Sequence, residues 1–195
     1  MQFQKGYIYH IFNQGNNRQK IFFERENYLF FLKKIKAHIL PYCDILAWCL
    51  MPNHFHLMVL VNRVNLSSGG ATSSRTPTNT TLNASIGIML ASYTRAIHKQ
   101  QNISGSLFRK NTKAECINCN QNITPSFIET KQGTKLIIPY NEYPQVCFDY
   151  IHKNPVKAKL VKKPETWEFS SAKDYAGLRK GKLVNKVVAS QFVYF

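Results

Sequence analysis

From Ile45 to Ala114 the chain contains no aspartate or glutamate. A nuclease that clamps two metal ions with carboxylates would have to draw every ligand from elsewhere, so carboxylate-pair chemistry is not expected of this region. Long apolar runs are also missing. The most apolar segments are broken by Pro52, Asn53 and two histidines, well short of the ~20 residues a membrane span needs. No hydrophobic signal-peptide block follows the lysine near the N-terminus. A soluble, cytoplasmic protein with no membrane partner is therefore expected. Cysteine is sparse and odd in number: Cys43, Cys49, Cys116, Cys119 and Cys147. Without an export signal, that count predicts free thiols in a reducing compartment.

What is present in excess is positive charge. The 26 Lys+Arg outnumber the 10 Asp+Glu, giving a formal net charge of +16. Solubility alone does not call for such an imbalance, and counterion release makes a polyanion, above all nucleic acid, the natural partner. At 44% hydrophobic and 13% aromatic, a chain of 195 residues can bury a core as one domain with an elaborated end.

Local patterns supply the elements. Gly6–Asn13 (GYIYHIFN) reads as a strand, and Gln14–Gln19 (QGNNRQ) as a turn whose backbone amides could meet a phosphate or simply turn the chain. Tyr28, Phe31, Leu32, Ile35 and Ile39 fall at helical spacing, ended by Pro41. Two strands, CDILAWCL and HFHLMVLV, follow as a hairpin joined by a tight MPN turn. Residues 62–85 are dominated by Ser, Thr, Asn and Gly and read as a flexible loop. A helix is predicted from about Ser85 to Gln101, with Ile86, Met89, Leu90, Tyr93 and Ile97 as its stripe and Gly105 beyond its end. Residues 111–141 are polar and irregular. A further helix carries Tyr143, Val146, Cys147, Tyr150 and Ile151 on one face, and Pro155 predicts its end before Asn154–Pro155. The order predicts an α+β fold: a ferredoxin-like (RRM-like) antiparallel sheet covered by helices. The domain is expected over residues 1–160, with residues 161–195 a basic C-terminal extension of it. From Ile151 to Phe195 there are ten lysines and arginines against three acids.

Three groups of side chains could carry chemistry. His54 and His56, two apart on a predicted strand, share a face. They are either buried histidines with partners, or a pair of nitrogen ligands that hold one divalent ion from the same side. Tyr93 lies on its helix's apolar stripe, where a core tyrosine would look the same. Arg95, His98 and Lys99 surround it, however, and a tyrosine hydroxyl can attack a phosphodiester and keep the new end covalently. Cys116-x2-Cys119 with Cys147 and His152 resembles a zinc-ligand set, but Cys147 and His152 are five apart on one helix and face different ways.

MPNHFHLMV followed by a helical tyrosine resembles the HUH single-tyrosine transposases, specifically the REP-associated group related to the small insertion-sequence transposases. GNNRQKIF after the first strand, GSLFRK after the tyrosine helix, and YIHKNPVKAKLV with WEFSS near the end resemble the same family. Together these pieces span about residues 6–177. The resemblance implies a metal-dependent strand transferase that cleaves and rejoins hairpin-associated single-stranded DNA through a 5′-phosphotyrosine. It implies that His54 and His56 hold Mg²⁺ or Mn²⁺ and that Tyr93 is the nucleophile. Relatives supply a third ligand from an amide one turn after the tyrosine. Here that position is Ile97, and His98, rotated by roughly 140°, is the candidate replacement. The departure leaves open a catalytically silent descendant that binds hairpin DNA or RNA, and relatives allow either a monomer or a homodimer. Arg18, Arg95, Arg109, Lys110, Lys157, Lys162 and Lys163 are the expected DNA contacts, with Phe108 as a base-stacking candidate.

Overall fold

The computed structural model describes residues 2–67, 79–119 and 140–195. Strand β1 (Ile8–Gln14) leads through a tight turn to helix α1 (Arg25–His38), then to β2 (Cys43–Met51) and β3 (His54–Val61). A short ribbon of β4 (Asn65–Ser67) and β5 (Asn79–Thr81) precedes α2 (Leu82–Gln101), β6 (Lys113–Cys116) and α3 (Tyr143–Lys157). The one-turn helices α4 (Ala172–Tyr175) and α5 (Lys186–Ala189) close the chain. The main sheet runs β2-β3-β1-β6 with every neighbour antiparallel. Read with α1 and α2, that is the split βαβ order of a ferredoxin-like fold, as the sequence predicted.

Both faces of the sheet are covered, which explains why β3 reads as a nearly unbroken apolar run. Tyr9, Ile11, Trp48, Leu50, Phe55, Leu57 and Val59 pack against α1 and α2. Ile8, Cys49, Met51 and Met58 pack against Cys147, Phe148 and Ile151 of α3. Helix α1 starts in a capping box, in which the Asn27 side chain accepts from the backbone of Phe23 and Glu24. The same Asn27 donates to Gln100 Oε1 at 2.7 Å and so ties α1 to α2. Thr81 caps α2 by accepting from Ala84 N–H, and Asn102, at φ 49°, ends it in the left-handed region where a glycine was expected nearby.

Several expectations need correction. Residues 62–85 are not one loop: their ends pair as the β4–β5 ribbon, α2 begins at Leu82, and only residues 68–78 lie outside the described residues. The irregular stretch 111–141 contributes the sheet's fourth strand, β6, and residues 120–139 lie outside the described residues. Helix α3 does not stop before Asn154–Pro155 but runs through to Lys157. Pro155 forfeits one helical N–H, yet Ala158 still donates to Asn154 O, and the buried proline ring packs in place. Cys116 and Cys119 form a disulfide, with Cα atoms 5.7 Å apart, while Cys43, Cys49 and Cys147 are free and buried. The pairing removes Cys116 and Cys119 from any zinc set. Phe108 packs in the core against Phe55 and Tyr93 and offers no stacking face.

Tyr93 belongs to the same core. It is fully buried among Phe22, Phe30 and Phe31, and its hydroxyl donates to Ile21 O at 2.6 Å. Burial pushes its pKa far up. It therefore faces α1, on the opposite side of the sheet from His54 and His56, because the pleat that turns Phe55 toward α1 turns the histidines away. The assignment of Tyr93 as a nucleophile is corrected on that ground.

The C-terminal residues close the free edge of β2. Leu50 N–H donates to Phe169 O, Ser171 N–H to Trp48 O and Asn185 N–H to Ile45 O, satisfying an edge that would otherwise be open. Arg179 clamps the segment from within, forking onto the buried Asp174 at 2.7 Å and lying over the Trp48 ring. His152 of α3 adds a link through Nε2 to Ser171 Oγ at 2.7 Å.

Two outcomes follow from this packing. Tyr93→Phe leaves Ile21 O without its buried donor and is expected to cost about 1–2 kcal/mol in urea denaturation, with the fold retained. Burial lowers the His152 pKa to about 4, so the folded chain resists a proton that the unfolded chain accepts near pH 6.5. Its contribution is complete above about pH 6.5 and is lost as the pH falls through about 4. His152→Gln keeps a donor for Ser171 but does not titrate. Denaturation midpoints at pH 7 and 4.5 should show wild type losing more stability than the variant, by on the order of 2 kcal/mol.

Candidate functional site

The histidine pair sits where β3 leaves the MPN turn. His54 and His56 alternate with the buried Phe55, and their rings stand 4.9 Å apart on the α3 face. Helix α3 crosses that face with Tyr150 and Asn154 one turn apart, on one side of the helix. The Tyr150 ring is 5.4 Å from His56, edge to face. The Asn154 amide reaches both imidazoles, with Oδ1 3.3 Å from His54 Nε2 and Nδ2 3.3 Å from His56 Nε2. Tyr150 is half-buried, so its hydroxyl group belongs to a residue that solvent reaches.

Behind the pair, each outer ring nitrogen is engaged. His54 Nδ1 lies 2.6 Å from Asn53 Oδ1, and His56 Nδ1 lies 2.9 Å from His10 Nε2 on the neighbouring strand. His10 stacks on both Phe12 and His56. Burial keeps these rings neutral. It lowers the His10 pKa to about 3 and holds His56 well below the usual imidazole value, with His10 and His54 adding to the effect. His54 is lowered by burial as well, partly offset by Asn154.

The donor set fits a divalent ion. Asn53 Oδ1 only accepts, so His54 Nδ1 donates to it and the neutral ring turns a lone pair from Nε2 toward Asn154 Oδ1. Two acceptors thus face each other at 3.3 Å, an arrangement that a cation between them resolves. Exchanging the amide's oxygen and nitrogen moves the conflict to His56 when that ring carries its hydrogen on Nδ1. Among the described residues, no three His, Cys, Asp or Glu side chains gather as a cage. The candidate ligands are therefore His54, His56 and Asn154, a set that leaves coordination positions for water and phosphate oxygens.

A cavity of about 360 Å³ opens in front of these groups, its wall completed by Phe12, Asn13, Gln14, Arg109, Asn111 and Lys113. Arg109 follows from α2's return to the sheet, where its N–H donates to Gln14 O. Lys157 lies with its ammonium 5.5 Å over the Tyr150 ring. Of the expected DNA contacts, Arg109 and Lys157 thus stand at the site, and Lys110 is exposed beside Arg109. Arg18 lies in the turn after β1, where its carbonyl accepts from Asn53, and Lys162 and Lys163 are exposed beyond α3. Arg95 and His98 are on α2, on the Tyr93 side of the sheet, so His98 cannot complete the ligand set.

The turn after β1 is built to dock here. A Cβ at Gly15 would meet Gln19 O at 2.1 Å, and Asn17 and Arg18 both adopt positive φ, at 50° and 59°. Gly15 N–H donates to Asn53 O and Asn16 N–H to Leu107 O, sewing the turn to the MPN corner and to the GSLFRK segment.

Sequence reasoning missed Tyr150, Asn154, His10, Asn53 and Lys113 as site residues. The signal for the first two was present in YIHKN, a tyrosine and an amide at i and i+4, once the helix is carried past Pro155.

No helix among the described residues is long and apolar enough to cross a membrane. No family model and no curated protein matches the chain. Among solved structures, it is similar to a REP-associated tyrosine transposase bound to a REP hairpin. The two share 19% sequence identity over 95% of this chain and 92% of that one, with a TM-score of 0.54. At that identity the likeness is one of fold.

Proposed function

We propose that this chain is an HUH single-tyrosine transposase of the REP-associated kind, a strand transferase acting on hairpin-associated single-stranded DNA. Tyr150 takes the place first given to Tyr93. One observation carries the proposal: Tyr150 and Asn154, one helical turn apart, converge on His54 and His56 at a cavity lined by Arg109 and Lys113, with Lys157 over the Tyr150 ring. The neighbouring fold is that of a transposase bound to a hairpin, which agrees with the DNA partner inferred from charge.

In this mechanism the Tyr150 hydroxyl oxygen attacks the scissile phosphorus. A tyrosine–phosphorus bond forms as the bond to the 3′-oxygen breaks, and the phenolic hydrogen ends on the freed 3′-OH. Reversal by another 3′-OH rejoins the strand without an external energy source. Mg²⁺ or Mn²⁺ on His54, His56 and Asn154 would polarise the phosphate and neutralise its developing charge. Arg109, Lys113 and Lys157 hold neighbouring phosphates, which makes binding strongly salt-dependent. The silent, DNA-binding alternative rested on the missing amide after Tyr93, and Asn154 at i+4 from Tyr150 removes that ground.

The test uses labelled single-stranded hairpin oligonucleotides from the DNA flanking the gene, with Mn²⁺, scored for an SDS-resistant protein–DNA adduct. Wild type and Tyr93→Phe should form it, whereas Tyr150→Phe and His56→Ala should not. An adduct that survives Tyr150→Phe sinks the nucleophile assignment, and binding without an adduct in any metal favours the non-cutting descendant. Asn154→Ala should weaken Mn²⁺ binding at least about tenfold by titration calorimetry.

A further inference from the structure

The site holds a polar chain that the proposed chemistry does not use. Behind His56, the ring of His10 lies buried on β1, 2.9 Å away through Nε2, and the opposite nitrogen, Nδ1, lies 4.0 Å from the Glu115 carboxylate on β6. The order is carboxylate, imidazole, imidazole, site, running across three adjacent strands: Glu115 pairs with His10 in the β1–β6 register, and His10 with Met58 in the β1–β3 register, beside His56. Glu115 is the first acid after the acid-free stretch.

We infer that Glu115 and His10 are positioning residues that fix the tautomer of His56, so that its Nε2 presents a lone pair to the site. Only one of the two nitrogens that meet at 2.9 Å can carry the hydrogen. Were it on His10 Nε2, the neutral His10 ring would turn the Nδ1 lone pair toward the Glu115 carboxylate. Placing it on His56 Nδ1 removes that repulsion. His10 Nδ1 then carries a hydrogen toward Glu115, and His56 Nε2 accepts from Asn154 or binds a cation. Asn53 performs the same service for His54 with a plain amide oxygen. The two ligands are thus held in the same tautomer by different means, the outer one by a turn residue and the inner one by a buried relay.

That the site takes a divalent ion rests on the function proposed above, but the tautomer does not. The deciding measurement is a long-range ¹H–¹⁵N correlation spectrum of the histidine rings in metal-free wild-type protein. The inference expects His56 as the Nδ1–H tautomer, and finding Nε2–H overturns it. Glu115→Gln, at a partly exposed residue, tests the source of the bias without disturbing the core. The His56 resonances should shift toward a mixture of tautomers, and an unchanged pure tautomer removes Glu115 from the relay. His10→Gln retains an acceptor and should bind Mn²⁺ within a few-fold of wild type, while His10→Leu should bind about 10–100-fold more weakly. Equal Mn²⁺ affinity of the Gln and Leu variants refutes the positioning role of His10. Should the DNA adduct fail while His56 shows the expected tautomer and its response to Glu115→Gln, the relay stands and the strand-transfer proposal falls.

Discussion

The pleat of β3 divides the molecule. Along this central strand, Phe55, Leu57 and Val59 point toward α1 and α2, while His54, His56 and Met58 point toward α3. A shift of one residue in register would exchange the two sets and place two imidazoles in an aromatic core. The pairing of β3 with β1 along its length, and with β2 apart from one bulge between Ile45 and Ala47, holds that register. The candidate site lies where the α3-side core thins out at the start of β3: Met51 and Met58 are buried, His56 is buried with polar partners, and His54 is half open. On β3 itself, polar side chains take the first two positions of an otherwise apolar face.

Much of this was legible in the sequence. Period-two alternation, the MPN corner and the two helical stripes gave the order of elements, and the order gave the ferredoxin-like fold. The histidine pair stood out because two polar rings interrupted an apolar strand. The tyrosine was misread for a physical reason. A helix stripe records only that a side chain is buried, not which face of the sheet buries it, and Tyr93 and Tyr150 sit on stripes of the same kind. What separates them is that α2 follows β3 as a crossover onto the Phe55 face, whereas α3 packs on the other. Residue spacing along one helix carries no information about that choice.

Asn154 was hidden by a rule that usually holds. The residue before a proline disfavours helical backbone, so Asn154–Pro155 reads as a helix end. Here the helix continues for its last turn although Pro155 gives up the bond an N–H would make to the carbonyl four residues back, and the ring gains a buried seat in exchange. One further turn is what brings an amide into line with Tyr150. Lys113 was hidden for a related reason, since the short polar strand β6 has too little alternation to announce itself and is recognised only by its pairing with β1.

The scarcity of acids and the make-up of the site have a common electrostatic logic. A carboxylate cage would grip a divalent ion tightly, but its negative charge would repel the phosphates that the proposed function brings to this +16 chain. Two neutral imidazoles and an amide add no charge of their own, so an ion held there would keep its full positive charge toward a phosphate. The same neutrality would make the ion's hold weaker, and under the proposed function phosphate oxygens would complete it and couple metal binding to DNA binding. Neutral ligands work only if their lone pairs face inward, and nothing in an isolated imidazole selects that tautomer. Glu115 is set back behind His10, where its charge can orient the relay while a strand's width separates it from the site.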